Sequence, residues 1–196
     1  MRWPRLRLGA FGRGMLAGWL VAGIGGGVLA AFILFGGIYD TGASAPHLRI
    51  VAWAVHRTMV SSVQRRAADE PPLPPVTGAR LISGAREYEA HCIGCHGGPG
   101  VARAPWTSAL LPTPPFLIDS RTRWTPAELR ALIAHGVKMS AMPAWGEVLP
   151  AAKVDDLVMF LELMPRLTTA RFQRLRDQVR ARPANPAPGV APARLP

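Results

Sequence analysis

Hydrophobic and polar positions alternate along this chain in blocks, and each block predicts an element. From Gly14 to Tyr39 there is no charged residue. As a helix those 26 residues extend about 39 Å against about 30 Å of hydrocarbon, enough to span a bilayer with tilt. Residues 47–68 read as a second helix, because Leu48, Val51, Val55, Met59 and Val63 recur at steps of three and four, with Trp53, Arg57 and Arg65 elsewhere. This basic amphipathic helix is expected to lie on a membrane surface or to brace the next domain. Glu70-Pro71-Pro72-Leu73-Pro74-Pro75 then predicts a stiff, extended linker. From about Gly78 three further helices are expected. The first covers about 80–95. The second starts at the capping box Thr125-Pro126-Ala127-Glu128, with proline at the first helical position, and runs to His135-Gly136. The third covers about 151–163 and is ended by Pro165. Pro105, Pro112, Pro114 and Pro115 keep the stretch between the first two as a loop. No strand pattern of any length occurs, so the fold class is all-α. After Thr168-Thr169 a short basic helix with Phe172, Leu175 and Val179 on one face is expected, and the Pro/Ala-rich stretch 183–196 reads as disordered.

Charge sharpens the division. The 196 residues carry a net charge of +11, yet residues 78–168 hold nine basic and eight acidic residues. The excess lies outside the middle of the chain, whereas a nucleic-acid binder concentrates it on its folded domain, so nucleic acid is not an expected partner. Arg2, Arg5, Arg7 and Arg13 precede the long apolar run, and no further arginine occurs until Arg49. The positive-inside rule then places residues 1–13 in the cytoplasm, 14–39 across the membrane and the remainder outside, with Trp3 and Tyr39 near the two interfaces. The other stretches are 40–77, a juxtamembrane helix and linker, 78–168, a compact domain, and 169–196, a basic helix and tail. A single such run excludes a polytopic membrane protein. The competing reading is a cleaved leader, since Ala43-Ser44-Ala45 looks like a small-residue cleavage site. The apolar run is far longer than a leader's, and Pro46 would follow the cut, so a retained anchor is expected. Gly14-x-x-x-Gly18 and Gly23-x-x-x-Gly27 suit a close helix contact, although membrane helices are in any case rich in glycine. Six tryptophans point to a membrane interface or a large apolar ligand.

Two cysteines cannot build a disulfide scaffold, but their setting is informative. Cys92-Ile93-Gly94-Cys95-His96 is C-x-x-C-H, the attachment sequence for c-type haem. On a helix, positions 92, 95 and 96 are i, i+3 and i+4 and share a face. Two thiols there reach the two vinyl groups of a porphyrin, and the histidine beside them reaches the iron. A thioredoxin-like pair needs strands around it, and a zinc site needs further ligands for which no third cysteine exists. The motif also lies on the exported side of the expected anchor, where haem is attached in bacteria. The second axial ligand is then a Met or His, from His135, Met139, Met142, Met159 and Met164. Met142-Pro143-Ala144-Trp145 lies in an irregular stretch whose proline blocks a helix, which suits a ligand crossing the opposite face of the haem. Met139 is its rival. Met159 and Met164 fall on the last helix as core, and His135 sits where a helix-capping residue does.

At these residues the chain resembles the class I c-type cytochromes, and more narrowly the bacterial membrane-anchored monohaem cytochromes. The resemblance rests on C-x-x-C-H at 92–96, on Gly136-Val137-Lys138-Met139-Ser140-Ala141-Met142-Pro143-Ala144-Trp145-Gly146, and on Gly84-x-x-x-Tyr88 with Leu157-x-x-Phe160. It covers about 78–168, and the order of anchor, Pro46-His47, basic helix and proline linker is also similar. It implies a small cytochrome c fold of three main helices around one covalent haem c, the first and last crossing at Gly84. It implies Cys92 and Cys95 as attachment points, His96 and Met142 as axial ligands, and Pro115 as the carbonyl that accepts from the proximal histidine. Tyr88 and Trp145 are counted with the haem-binding residues, and Trp124 is a further candidate wall. Asp155 and Asp156 depart from the pattern, since that part of the last helix is more often apolar and aromatic.

A six-coordinate His/Met iron has no open position, so the expected function is a one-electron carrier on the periplasmic side of a bacterial inner membrane, not an enzyme. The alternative is a cytochrome c subunit of a larger membrane oxidase or dehydrogenase. Expected partners are membrane lipid and redox proteins: a respiratory oxidase, a dehydrogenase or another cytochrome.

Overall fold

The structure, a computed structural model, describes residues 9–119 and 123–181. Trp3, Arg2, Arg5 and Arg7, and the Pro/Ala-rich stretch 183–196, lie outside the described residues. The described chain is helical, with no strand and a single isolated bridge between Gly98 and Val101. It divides into two compact units, Met1–Ala45 and Pro46–Pro196.

The first unit holds α1, Ala10–Phe35, 26 residues with none buried. It is long and apolar enough to cross a membrane. The helix ends ahead of Tyr39 because the Gly36 N–H caps Phe32 and Gly37 turns at φ 65°, in the left-handed region glycine occupies without strain.

The second unit begins with α2, Arg49–Ala67, and continues with α3, Gly78–His91, whose first turn is capped by the Thr77 hydroxyl accepting from the Arg80 N–H. The C-x-x-C-H segment forms a separate turn, α4, Ile93–His96. The continuous helix expected over 80–95 is therefore broken at Cys92. The i, i+4 closure survives, since the His96 N–H donates to the Cys92 carbonyl at 2.9 Å. Next come α5, Pro126–His135, α6, Ala151–Leu163, and α7, Thr169–Ala181. The expected capping box is formed at the start of α5. Thr125 Oγ1 accepts from the Glu128 N–H, and the Glu128 carboxylate accepts from the Thr125 N–H at 2.8 Å.

Helices α3 and α6 cross at Gly84. A Cβ there would stand 2.0 Å from the Asp156 carbonyl oxygen and 2.9 Å from Phe160 Cβ, so only glycine permits this approach. Around the crossing Tyr88 and Phe160 pack with ring centroids 5.4 Å apart, and Val154, Leu157 and Val158 are buried. Each such apolar side chain contributes about 1.5–3 kcal/mol. The departure at Asp155 and Asp156 is resolved by pairing. Both are buried, and Arg130 Nε lies 2.6 Å from Asp155 while Arg80 lies 3.1 Å from Asp156. Helix α7 backs the same core, with buried Phe172 6.4 Å from Phe160.

Helix α2 packs against α5. Val63 is buried, but Leu48 and Val55 are exposed, so the face turned to the domain is rotated from the one the periodicity suggested. Glu70 pins the chain just beyond α2, its carboxylate 2.7 Å from Arg130, which thereby joins this segment to α5 and α6.

Candidate functional site

A cavity of about 680 Å³ opens between α4, α5 and the proline loop. Cys95, His96 and Met142 all line it, amid an apolar wall that includes Leu129, Ile133 and Leu161. Thus two turns far apart in sequence present a thiol, an imidazole and a thioether to one apolar space.

His96 is held by its inner nitrogen. Nδ1 lies 2.7 Å from the Pro115 carbonyl oxygen. A carbonyl only accepts, so Nδ1 carries the proton and Nε2 keeps its lone pair. Burial pushes this imidazole below its usual pKa, while the Pro115 hydrogen bond raises it and the Arg103 guanidinium lowers it. The net direction favours the neutral ring a metal requires. The accepting loop is itself braced: Arg103 donates to the Pro114 carbonyl and stands over the Phe116 ring at 4.3 Å.

The methionine loop is braced in its turn. Gly136 turns at φ 62° with its backbone against Pro143, where a Cβ would meet the Pro143 carbonyl at 2.5 Å. The Val137 N–H donates to the Met142 carbonyl at 3.1 Å, and the Met142 N–H donates to Ser140 Oγ at 3.2 Å. Within this closed turn Met139 adopts φ 60° and is 81% exposed, whereas Met142 is half-buried in the cavity wall.

The remaining predicted residues surround this centre. Burial pushes the Cys92 thiol up to about 12, with Cys95 and Glu87 adding to it, and Cys92 packs on the core beside the cavity. Trp124 lines the cavity. Tyr88 lies at the α3–α6 crossing, where its hydroxyl donates to the Gly97 carbonyl at 2.7 Å, one residue beyond His96. Burial raises this phenol above its ordinary value, so it stays a neutral donor. Trp145 packs against the His91 ring at 4.7 Å, next to Cys92. The sequence reading missed Arg103 and the four residues of α2 in the cavity wall: His56, Met59, Val60 and Gln64. Their signal was a helical stripe, since these positions are i, i+3, i+4 and i+8.

The donor set discriminates between ligands. Among the described residues no three His, Cys, Asp or Glu side chains converge as a metal cluster, which disfavours a zinc site. One imidazole nitrogen, one thioether and a thiol lining one large apolar space would instead suit an iron-bearing apolar macrocycle. The residues fit haem. The all-helical fold and a family-model match within it support a class I c-type cytochrome domain, a class of haem c electron carriers. More particularly, residues 79–161 match the family model described as cytochrome c oxidase, cbb3-type, subunit III. No curated protein and no solved structure matches the chain. The matched residues run from the start of α3 to near the end of α6, so α1, α2 and α7 lie outside them.

Proposed function

We propose that the protein is a membrane-anchored monohaem cytochrome c that carries single electrons on the periplasmic side. One haem is joined to Cys92 and Cys95, and its iron is held between His96 and Met142. The observation that carries this reading is the convergence of His96, fixed by Pro115 at 2.7 Å, and Met142 on one apolar cavity. When bound, the haem supplies a reversible one-electron couple. Around it Pro115 fixes the imidazole tautomer, the Ser140 and Gly136 turn presents the thioether, and the apolar wall excludes water. Tyr88 acts as a positioning residue through Gly97, and Trp145 braces the Cys92 end of α3 through His91. Charge supports the orientation, since the arginines ahead of the apolar run have no counterpart between it and Arg49.

The test is covalent retention. Denatured wild-type protein should keep the mass of one haem, and Cys92→Ala with Cys95→Ala should keep none. Covalent haem in the double variant would overturn the assignment. The family match favours a second reading, a subunit of a cbb3-type or related oxidase. Extraction in mild detergent followed by identification of co-purifying chains separates the two: a fixed partner supports the subunit, and its absence supports the free carrier.

A further inference from the structure

The cavity is not walled by the matched stretch alone. Met59 and Val60 of α2, both half-buried, form part of its lining, with His56 and Gln64 at the two ends of the same stripe. With buried Val63 between them, positions 56, 59, 60, 63 and 64 follow the i, i+3, i+4, i+7, i+8 rule of a helix face turned to a core. The stripe is polar at its ends and apolar at its centre, which is the profile of a wall whose middle meets an apolar ligand and whose rim meets water. The opposite side of the helix carries Thr58, Ser61 and Arg65, all exposed. The placement is also anchored, because Arg130 ties Glu70 to Asp155.

A helix so placed acts on the macrocycle through water. Ferric iron bears one more positive charge than ferrous iron, and water near the ring stabilises that charge. Apolar cover therefore favours the reduced form and raises the potential, a control distinct from the axial ligands. We infer that α2 is an integral wall of the haem site, in which Met59 and Val60 contact the macrocycle and exclude water from it. The inference rests on the proposed haem reading.

The experiment uses the full chain extracted from membranes, with midpoint potential and absorption spectrum read together. Met59→Gln keeps the side chain's length and makes it polar. It should lower the potential while covalent haem and the sulfur-to-iron band remain. Thr58→Gln, on the opposite side of the same helix, should leave the potential where it is. An unchanged potential in Met59→Gln, an equal shift in Thr58→Gln, or loss of the sulfur-to-iron band in Met59→Gln would each overturn the wall assignment. Should Met59→Gln fail to accumulate haem, Val60→Thr, equal in shape and polar, decides by the same readings. Wild-type protein without covalent haem refutes the haem reading itself, an outcome these variants cannot mimic.

Discussion

Met139 and Met142 share one loop and have opposite surroundings. The loop closes through the Val137–Met142 and Met142–Ser140 hydrogen bonds, which turn Met142 into the cavity wall and leave Met139 exposed. Pro143 then fixes the backbone after Met142 and removes a donor. Replacing Met142 by Ala is expected to lower the reduction potential, abolish the sulfur-to-iron absorption band and let carbon monoxide bind the ferrous iron. Met139→Ala is expected to do none of these; the reverse pattern would exchange the two assignments. Gly84 makes an equally sharp case for stability. A methyl group placed 2.0 Å from the Asp156 carbonyl oxygen must push α3 and α6 apart. Gly84→Ala should destabilise the domain at or above the roughly 1–3 kcal/mol usual for overpacking, read as a lower urea midpoint. Part of this scale is legible in sequence: C-x-x-C-H raises the expectation of haem attachment, and the methionine before Pro143 is the one the structure turns into the cavity wall. The bracing of that loop by Ser140 is not legible, because it depends on a turn closing at Gly136.

At the scale of elements, periodicity predicts that a helix has an apolar face but not what that face meets. Helix α7 is instructive. Phe172, Leu175 and Val179 mark one face, and the structure buries Phe172 and Val179. Phe172 meets Gly98, where a Cβ would lie 2.5 Å from its ring, and Thr169 presses on Gly100. The helix is latched by Glu89, whose carboxylate takes Arg176 at 2.8 Å and also pairs with Arg180. So α7 stabilises the loop immediately after His96. Phe172→Ala should cost about 3–5 kcal/mol in chemical denaturation while leaving the sulfur-to-iron band in place, because the ring supports the site without lining the cavity. A variant as stable as the wild type would show α7 to be dispensable. For α2 the periodicity predicts the stripe 48/51/55/59/63, whereas the structure turns 56/59/60/63/64 to the domain, a second stripe that shares Met59 and Val63. Apolarity alone favoured the first. The second is chosen by packing against α5 and by the Glu70–Arg130–Asp155 link. The same link explains how two aspartates occupy the buried face of α6, a pairing that becomes visible only when α5 is in place.

At the scale of the molecule, charge is arranged around a nearly neutral core stretch. Residues 78–168 nearly balance, and the excess of the +11 chain sits in the N-terminal segment, α2 and α7 with the tail. Two mechanisms would then hold the protein to an anionic bilayer: an apolar helix through it, or basic surfaces against it. They differ in salt dependence. Attraction between exposed arginines and headgroups is screened within about 3 Å at 1 M salt, whereas burial of a membrane-spanning helix is indifferent to salt. With 26 unburied residues in α1, well beyond the roughly 7–15 of a leader's apolar core, we expect the first mechanism. The mature protein should therefore retain α1 and remain in the membrane fraction after a high-salt wash. Protease added outside spheroplasts should cleave the haem-bearing domain, as the arginine asymmetry across α1 requires. Release by salt, or a mature N-terminus at Pro46, would make the anchor a leader and the carrier a soluble one. Protection of the domain from outside protease would instead reverse its orientation.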